Sequence, residues 1–185
     1  LVLVGPSGGY SLPKVFLEGF EQVIAVEPDP LARIIFQKRF GLKNIRWVKV
    51  AFPFQNPESF TKEIPVDSSI LFCNLLGQLN FRRTSEIKKK LSAFLAPFRW
   101  ASFHDALSGE NLEFDTELAQ QERQATLSQM KTWIYPKVSG GTLEVNAHQA
   151  PDLFSAGPQT KFYYWQWRIN SKRTHLIEGV FHDKT

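Results

Sequence analysis

The sequence predicts an α/β fold: a three-layer sandwich with helices on both faces of a seven-stranded, mostly parallel sheet that closes in an antiparallel hairpin. Three observations lead there. Apolar runs of four to six residues, each ending in a turn signal, alternate with helical patterns over the first 105 residues, which is the order that builds a parallel sheet. The first run, Leu1–Val4, is apolar throughout and ends in glycine, the pattern of a fully buried strand. The last 25 residues change character, with strict alternation in KFYYWQWRI, a short NSKR turn and a second run, THLIEGVF.

Taken in order, LVLV (Leu1–Val4) reads as the first strand. Pro13 can occupy the first turn of the helix in LPKVFLEGF, which offers Leu12, Val15, Phe16 and Phe20 to the sheet. QVIAVE is the second strand and ends at Glu27. In PDPLARIIFQKRFG, Asp29 is a natural N-cap, Pro30 takes the first helical position and Gly41 stops the helix. IRWVKV (Ile45–Val50), SILFCN (Ser69–Asn74) and WASF (Trp100–Phe103) supply three more strands. The helix between the last two, SEIKKKLSAFLAPF, carries an apolar stripe of Ile87, Leu91, Phe94 and Leu95, which leaves Lys88, Lys89 and Lys90 largely on a solvated face. A polar helical stretch is expected in DTELAQQERQATLSQMKTW, with a thin stripe of Leu118, Ala125, Met130 and Trp133. Residues 134–160 read as a long connection with one short strand, Thr142–Val145.

At 185 residues the chain is the size of one domain, and no repeat or linker divides residues 1–185. It opens at Leu1 inside a strand, so upstream residues are expected to be missing from it. No apolar run approaches the ~20 residues of a membrane span, and no signal peptide is recognisable. A soluble, cytoplasmic protein is the expectation. The single cysteine, Cys73, sits in an apolar run as a small buried hydrophobe. Dispersed histidines and one cysteine lack the close spacing of a zinc site, and no metal is expected. A net charge of +4 tolerates an acidic partner such as RNA without requiring one.

The opening GPSGG, Gly5–Gly9, admits three chemistries. A phosphate-binding P-loop needs a lysine after the last glycine, and none follows Gly9. G-x-S-x-G would make Ser7 a nucleophile, with His104, His148, His175 or His182 as its base, but such an elbow normally follows several strands. The third chemistry is a cofactor loop, in which glycine supplies positive φ or lets a ligand approach without a Cβ. Glu27 lies 22 residues beyond Gly5, close to the ~20-residue spacing at which an acid reaches ribose hydroxyls.

With Glu27-Pro28-Asp29-Pro30, read as EPDPLA, and the terminal hairpin, the chain resembles the class I S-adenosylmethionine-dependent methyltransferases over essentially its whole length. The resemblance implies a Rossmann-like sandwich and S-adenosylmethionine as cofactor. It implies that Gly5, Pro6, Ser7, Gly8 and Gly9 cradle the methionine portion and sugar, that Glu27 beside Pro28 grips the ribose, and that Phe52 packs against adenine. Asn74 and Leu75, at the end of the fourth strand, would flank the transferable methyl, with Tyr10 a further lining residue. Asn74 serves equally well as a cap joining strand to loop. His104 and Asp105, expected at the end of the fifth strand, can act as a general base and its neighbour, or as a packed histidine and a turn cap. The chain departs from the family at Leu3, at Ser7 in the middle glycine position and at Ala51 after the third strand. The acceptor, whether a small molecule, RNA or protein, stays open. So does a non-catalytic protein of the same fold that only binds the cofactor.

Overall fold

A computed structural model describes residues 1–50, 52–53, 55–76, 85–110, 112–114, 120–121, 125–134, 143–145 and 159–183. Four short strands, β1 (Val2–Val4), β2 (Val23–Val26), β3 (Ile45–Val48) and β4 (Ser69–Cys73), run parallel, with β1 paired to both β2 and β4. β5 (Arg99–Glu110) joins β4 in parallel over Arg99–Phe103. β8 (Thr160–Arg168) and β9 (Arg173–His182) form the expected hairpin, and β9 lies antiparallel along the other edge of β5.

The order is β3-β2-β1-β4-β5-β9-β8. Five parallel strands with the last hairpin strand inserted beside the fifth make the class I methyltransferase fold. Two short additions extend this framework: β6 (Gln120–Gln121) pairs with the outer edge of β8, and β7 (Leu143–Val145) pairs with Leu107–Gly109 of β5. β4 and β7 thus share one edge of β5 in succession.

Strand side chains divide by parity into two cores, as the pleat requires. One contains Val2, Val4, Ile24, Val26, Ile70 and Phe72 with Phe60 of α3 (Pro57–Thr61) and Leu91, Phe94 and Leu95 of α4 (Ser85–Leu95). The other contains Leu3, Val23, Ala25 and Cys73 with Leu17 of α1 (Lys14–Glu18) and Phe36 and Phe40 of α2 (Pro30–Phe40). Each fully buried Leu or Phe contributes about 1.5–3 kcal/mol of transfer free energy, so both helix layers are held mainly by these faces. α2 begins and ends as its sequence dictates: the Asp29 side chain accepts the Leu31 N–H, Pro30 opens the helix and Gly41 closes it at φ +58°. On α4, Lys89 and Lys90 are exposed, while the side chains of Ile87 and Lys88 lie outside the described residues.

Three expectations are corrected. The first helix is only Lys14–Glu18, because Pro13 is extended and serves as its N-cap; it buries Leu17, while Val15 and Phe16 are exposed. The polar stretch is not one helix: Gln120 and Gln121 are in a strand, and α5 spans only Leu127–Thr132, started by a Thr126–Gln129 capping box. Ala125, Met130 and Trp133 of its thin stripe are nonetheless buried in the larger core; Leu118 lies outside the described residues. Finally, β5 does not stop at Phe103. Antiparallel pairing with β9 carries it to Glu110, through a bulge between Asp105 and Leu107.

Candidate functional site

The GPSGG loop leaves β1 under tight backbone control. Gly5 (φ +66°) donates its N–H to the Val26 carbonyl at 2.9 Å, and Gly9 (φ +73°) donates to the Pro6 carbonyl at 2.9 Å. A Cβ on Gly9 would lie 2.3 Å from the Phe40 ring, and one on Gly8 would lie 2.7 Å from Tyr10 Cε2 and 2.9 Å from Ile35 Cγ2. Gly9 is therefore required by packing onto α2 as well as by its positive φ, and Gly8 by its closeness to Tyr10 and Ile35. A Cβ on Gly5 would make only ordinary contact with Leu75, at 3.5 Å, so there the positive φ alone calls for glycine.

Glu27, at the end of β2, is buried and bridges two loops. Its Oε2 accepts the Ser7 N–H at 2.9 Å and its Oε1 the Asp29 N–H at 3.0 Å. Each carboxylate oxygen can take a further donor, so the group both fixes the loop and retains capacity for a ligand hydroxyl. Cys73 lies close enough for burial, aided by the Glu27 charge, to push its thiol far above the ordinary range. A thiol so held is inert, and its role is packing.

β4 ends in Asn74, whose N–H donates to the Phe103 carbonyl at 2.9 Å and whose φ is +50°. Its Oδ1 is buried with no hydrogen-bond partner among the described residues. Ser7 (φ +51°) and Asn74 are the two non-glycine residues with positive φ among those described. Both stand at the ends of adjacent strands β1 and β4, where the strand order changes direction. In open α/β sheets ligands bind in this crevice, and unusual backbone geometry collects at functional sites. Leu75 packs against Gly5, and the half-buried Phe52, beyond β3, packs with Leu75 against the larger core. Pro6 is buried and Pro28 exposed. Gly5, Pro6, Ser7, Glu27, Pro28, Phe52, Asn74 and Leu75 thus follow the ends of four neighbouring parallel strands, whereas Ala51 lies outside the described residues.

His104 and Asp105 do not form the strand-end pair that the sequence suggested. They stand within β5, on opposite faces. His104 is buried in the larger core, with Nε2 3.2 Å from Glu178 Oε1; the Tyr164 hydroxyl donates to Glu178 Oε2 at 2.5 Å and accepts the Ala125 N–H at 2.8 Å. Burial first, and the Glu178 charge second, push the Tyr164 hydroxyl well above its ordinary value. On the other face, Asp105 Oδ2 lies 3.2 Å from His175 Nδ1. The reading of the sequence missed Glu178 and Tyr164, although an acid within the apolar run THLIEGVF was a signal that a partner must face it.

The Tyr10 ring packs beside Gly8, where a Cβ would lie 2.7 Å from its Cε2. It lies under the Arg39 guanidinium, 4.9 Å from ring centroid to Cζ, and lines a cavity on the α1–α2 face. The Ser7 side chain is exposed, and no described histidine pairs with its hydroxyl; His148 lies outside the described residues. Among the described residues no group of three or more His, Cys, Asp or Glu side chains is arranged to hold a metal ion, and no helix is long and apolar enough to cross a membrane.

No protein-family model and no curated protein matches the chain. Solved structures do. A methyltransferase of Anabaena variabilis described as SAM-dependent is 16% identical with a TM-score of 0.48, over 99% of this chain and 77% of that one. The N-methyltransferase NodS of Bradyrhizobium japonicum, solved with S-adenosyl-L-homocysteine, is 11% identical with a TM-score of 0.48 over the same shares. An amino pentose methyltransferase of Micromonospora echinaspora, solved with SAM bound, is 14% identical with a TM-score of 0.47, over 98% and 82%. The strand order of the sheet, rather than these distant likenesses, carries the fold assignment.

Proposed function

We propose that the chain is an S-adenosylmethionine-dependent methyltransferase whose site is the crevice between the ends of β1 and β4. One observation carries the reading: the loop after β1 is bound to a buried acid at the end of β2, and the neighbouring β4 ends in a left-handed asparagine with an orphaned buried acceptor. Such an acceptor lacks a hydrogen bond worth about 1–3 kcal/mol unless a ligand donor supplies it. The residues present fit the group, since Glu27 keeps acceptor capacity and Asn74 presents an unused oxygen.

The cofactor would supply a methyl group on a sulfonium, and the protein's task is to align two reactants and exclude water. Glu27 would accept ribose hydroxyls. Gly5, Pro6 and Ser7 would border the methionine portion and sugar, with Phe52 and Pro28 flanking adenine. Asn74 Oδ1 would accept an N–H or O–H of the acceptor and orient it, while Leu75 keeps water from the wall shared with Gly5. The acceptor is a small molecule or RNA. The free, buried Cys73 suits a reducing, cytoplasmic setting.

Calorimetric titration with S-adenosylmethionine, S-adenosylhomocysteine and NAD tests the reading. The two sulfur ligands should bind, Glu27→Ala should weaken them at least tenfold, and NAD should not bind; tight binding of NAD alone would overturn the proposal in favour of a dehydrogenase. A non-catalytic binder of the same fold would bind S-adenosylmethionine yet yield no demethylated product with any acceptor mixture. The left-handed φ of Ser7 gives the hydrolase reading its one support, and labelling of Ser7 by a fluorophosphonate would establish it.

A further inference from the structure

The face carrying α1 and α2 holds a cavity of about 320 Å³. It is lined by Tyr10, Arg39, Phe103, Trp165, Trp167 and Ile177, and lies against β5, β8 and β9. That volume falls at the small end of ligand pockets. Three features set it apart from an ordinary gap under a loop.

Its aromatic surface is rigid and open. Trp165 is 39% exposed, and its ring packs on Gly179, where a Cβ would approach it to 2.7 Å, so the ring occupies space that any side chain there would fill. A ring fixed in this way is ordered before any ligand arrives. The cavity's one lining cation lacks an acid: Arg39 lies over the Tyr10 ring, and among the described residues no carboxylate forms an ion pair with it. Asp105, on this face of β5, lies 3.2 Å from His175, and Lys161, exposed and on the same face of β8 as Trp165, adds positive charge.

The geometry points to a binding site for one nucleotide, its base stacked on the Trp165 and Tyr10 rings and its phosphate paired with Arg39. Aromatic faces accept any base, each stacked base contributing enough for about tenfold in affinity or more, and the guanidinium fork matches phosphate oxygens. The nucleotide can be free or part of a single strand. The site does not rest on the methyltransferase reading, and neither Arg39 nor Trp165 is assigned to the strand-end crevice.

Calorimetry on the full chain, saturated with S-adenosylhomocysteine to block the strand-end crevice, tests the inference with 5′-AMP, 5′-UMP and an unstructured RNA hexamer. Binding of the mononucleotides supports a free nucleotide, and binding of the hexamer alone supports a strand. In either case Arg39→Gln and Trp165→Leu should each weaken binding about tenfold, Arg39→Gln should flatten its salt dependence, and neither should alter affinity for S-adenosylhomocysteine. Should Trp165→Leu fail to fold by circular dichroism, Arg39→Gln decides alone. No binding in any arm, or binding that Arg39→Gln leaves intact, would overturn the inference. So would sedimentation showing a dimer that Trp165→Leu dissolves, since a second copy would then fill the cavity.

Discussion

The parallel and antiparallel halves of the sheet handle polar chemistry in opposite ways. In β1, β2 and β4 the strand interiors are almost wholly apolar, and polar groups are confined to the ends, where Glu27 and Asn74 stand. In β5, β8 and β9 the titratable groups are inside the strands: His104, Glu178 and Tyr164 on one face, Asp105 and His175 on the other. The difference teaches where to look for ligand chemistry. At the parallel ends the backbone is left-handed and the Asn74 acceptor is unused, whereas the interior groups approach one another across strands, His104 and Glu178 at 3.2 Å and His175 and Asp105 at 3.2 Å.

The largest expected effect breaks the interior network. Glu178→Ala removes the partner of His104 and of the Tyr164 hydroxyl at once and should cost about 3 kcal/mol in urea denaturation, with Glu178→Gln recovering most of it. A loss below ~1 kcal/mol would show that the antiparallel half does not depend on these groups. Gly9→Ala forces a Cβ against Phe40 and Phe36 at a positive φ, and should destabilise by about 2 kcal/mol. Its effect should be on folding, because this glycine packs against α2.

Alkaline pH should distinguish the halves more finely. Folding raises the Cys73 thiol above its ordinary value of 9.0 and the Tyr164 hydroxyl above 10.0, so between these and the folded values the unfolded chain has lost protons that the native chain keeps. These two groups should leave stability unchanged below pH 9 and then lower it by up to about 1.4 kcal/mol per pH unit each, first through Cys73 and then through Tyr164. Denaturation at pH 8, 9.5 and 10.5 measures this, and Cys73→Ala should delay the first decline. The smallest change in stability should come at Asn74. Asn74→Gly relieves a left-handed side-chain residue and should leave stability equal or raise it by about 0.5 kcal/mol, while methyl transfer falls at least tenfold. Loss of stability with unchanged transfer would mean that Asn74 only caps β4.

What the sequence revealed follows the same division. In the parallel half, continuous apolar runs and Asp29-Pro30 with Gly41 are local signals, and the strands and α2 formed within a residue or two of where those signals placed them. Glu27 was legible because its position depends only on the end of one strand. His104 was misplaced because WASFHDALSG is an apolar run that gives way to mixed residues, the ordinary mark of a strand's end. What carries β5 onward is pairing with β9, more than sixty residues later, and nothing local to His104 announces it. The hairpin's alternation correctly separated Phe162 and Tyr164 from Trp165 and Trp167, but alternation cannot say which face a second layer will seal. Only the first pair became core, and Trp165 is left lining a cavity.

Among the described residues β5 alone is bonded both to the parallel set and to the hairpin, and one whole flank of it is matched there by β9. During synthesis that flank emerges well before its mate. For that interval the nascent polypeptide carries an unsatisfied ribbon, from Trp100 to Gly109, rich enough in apolar groups to seek foreign strands.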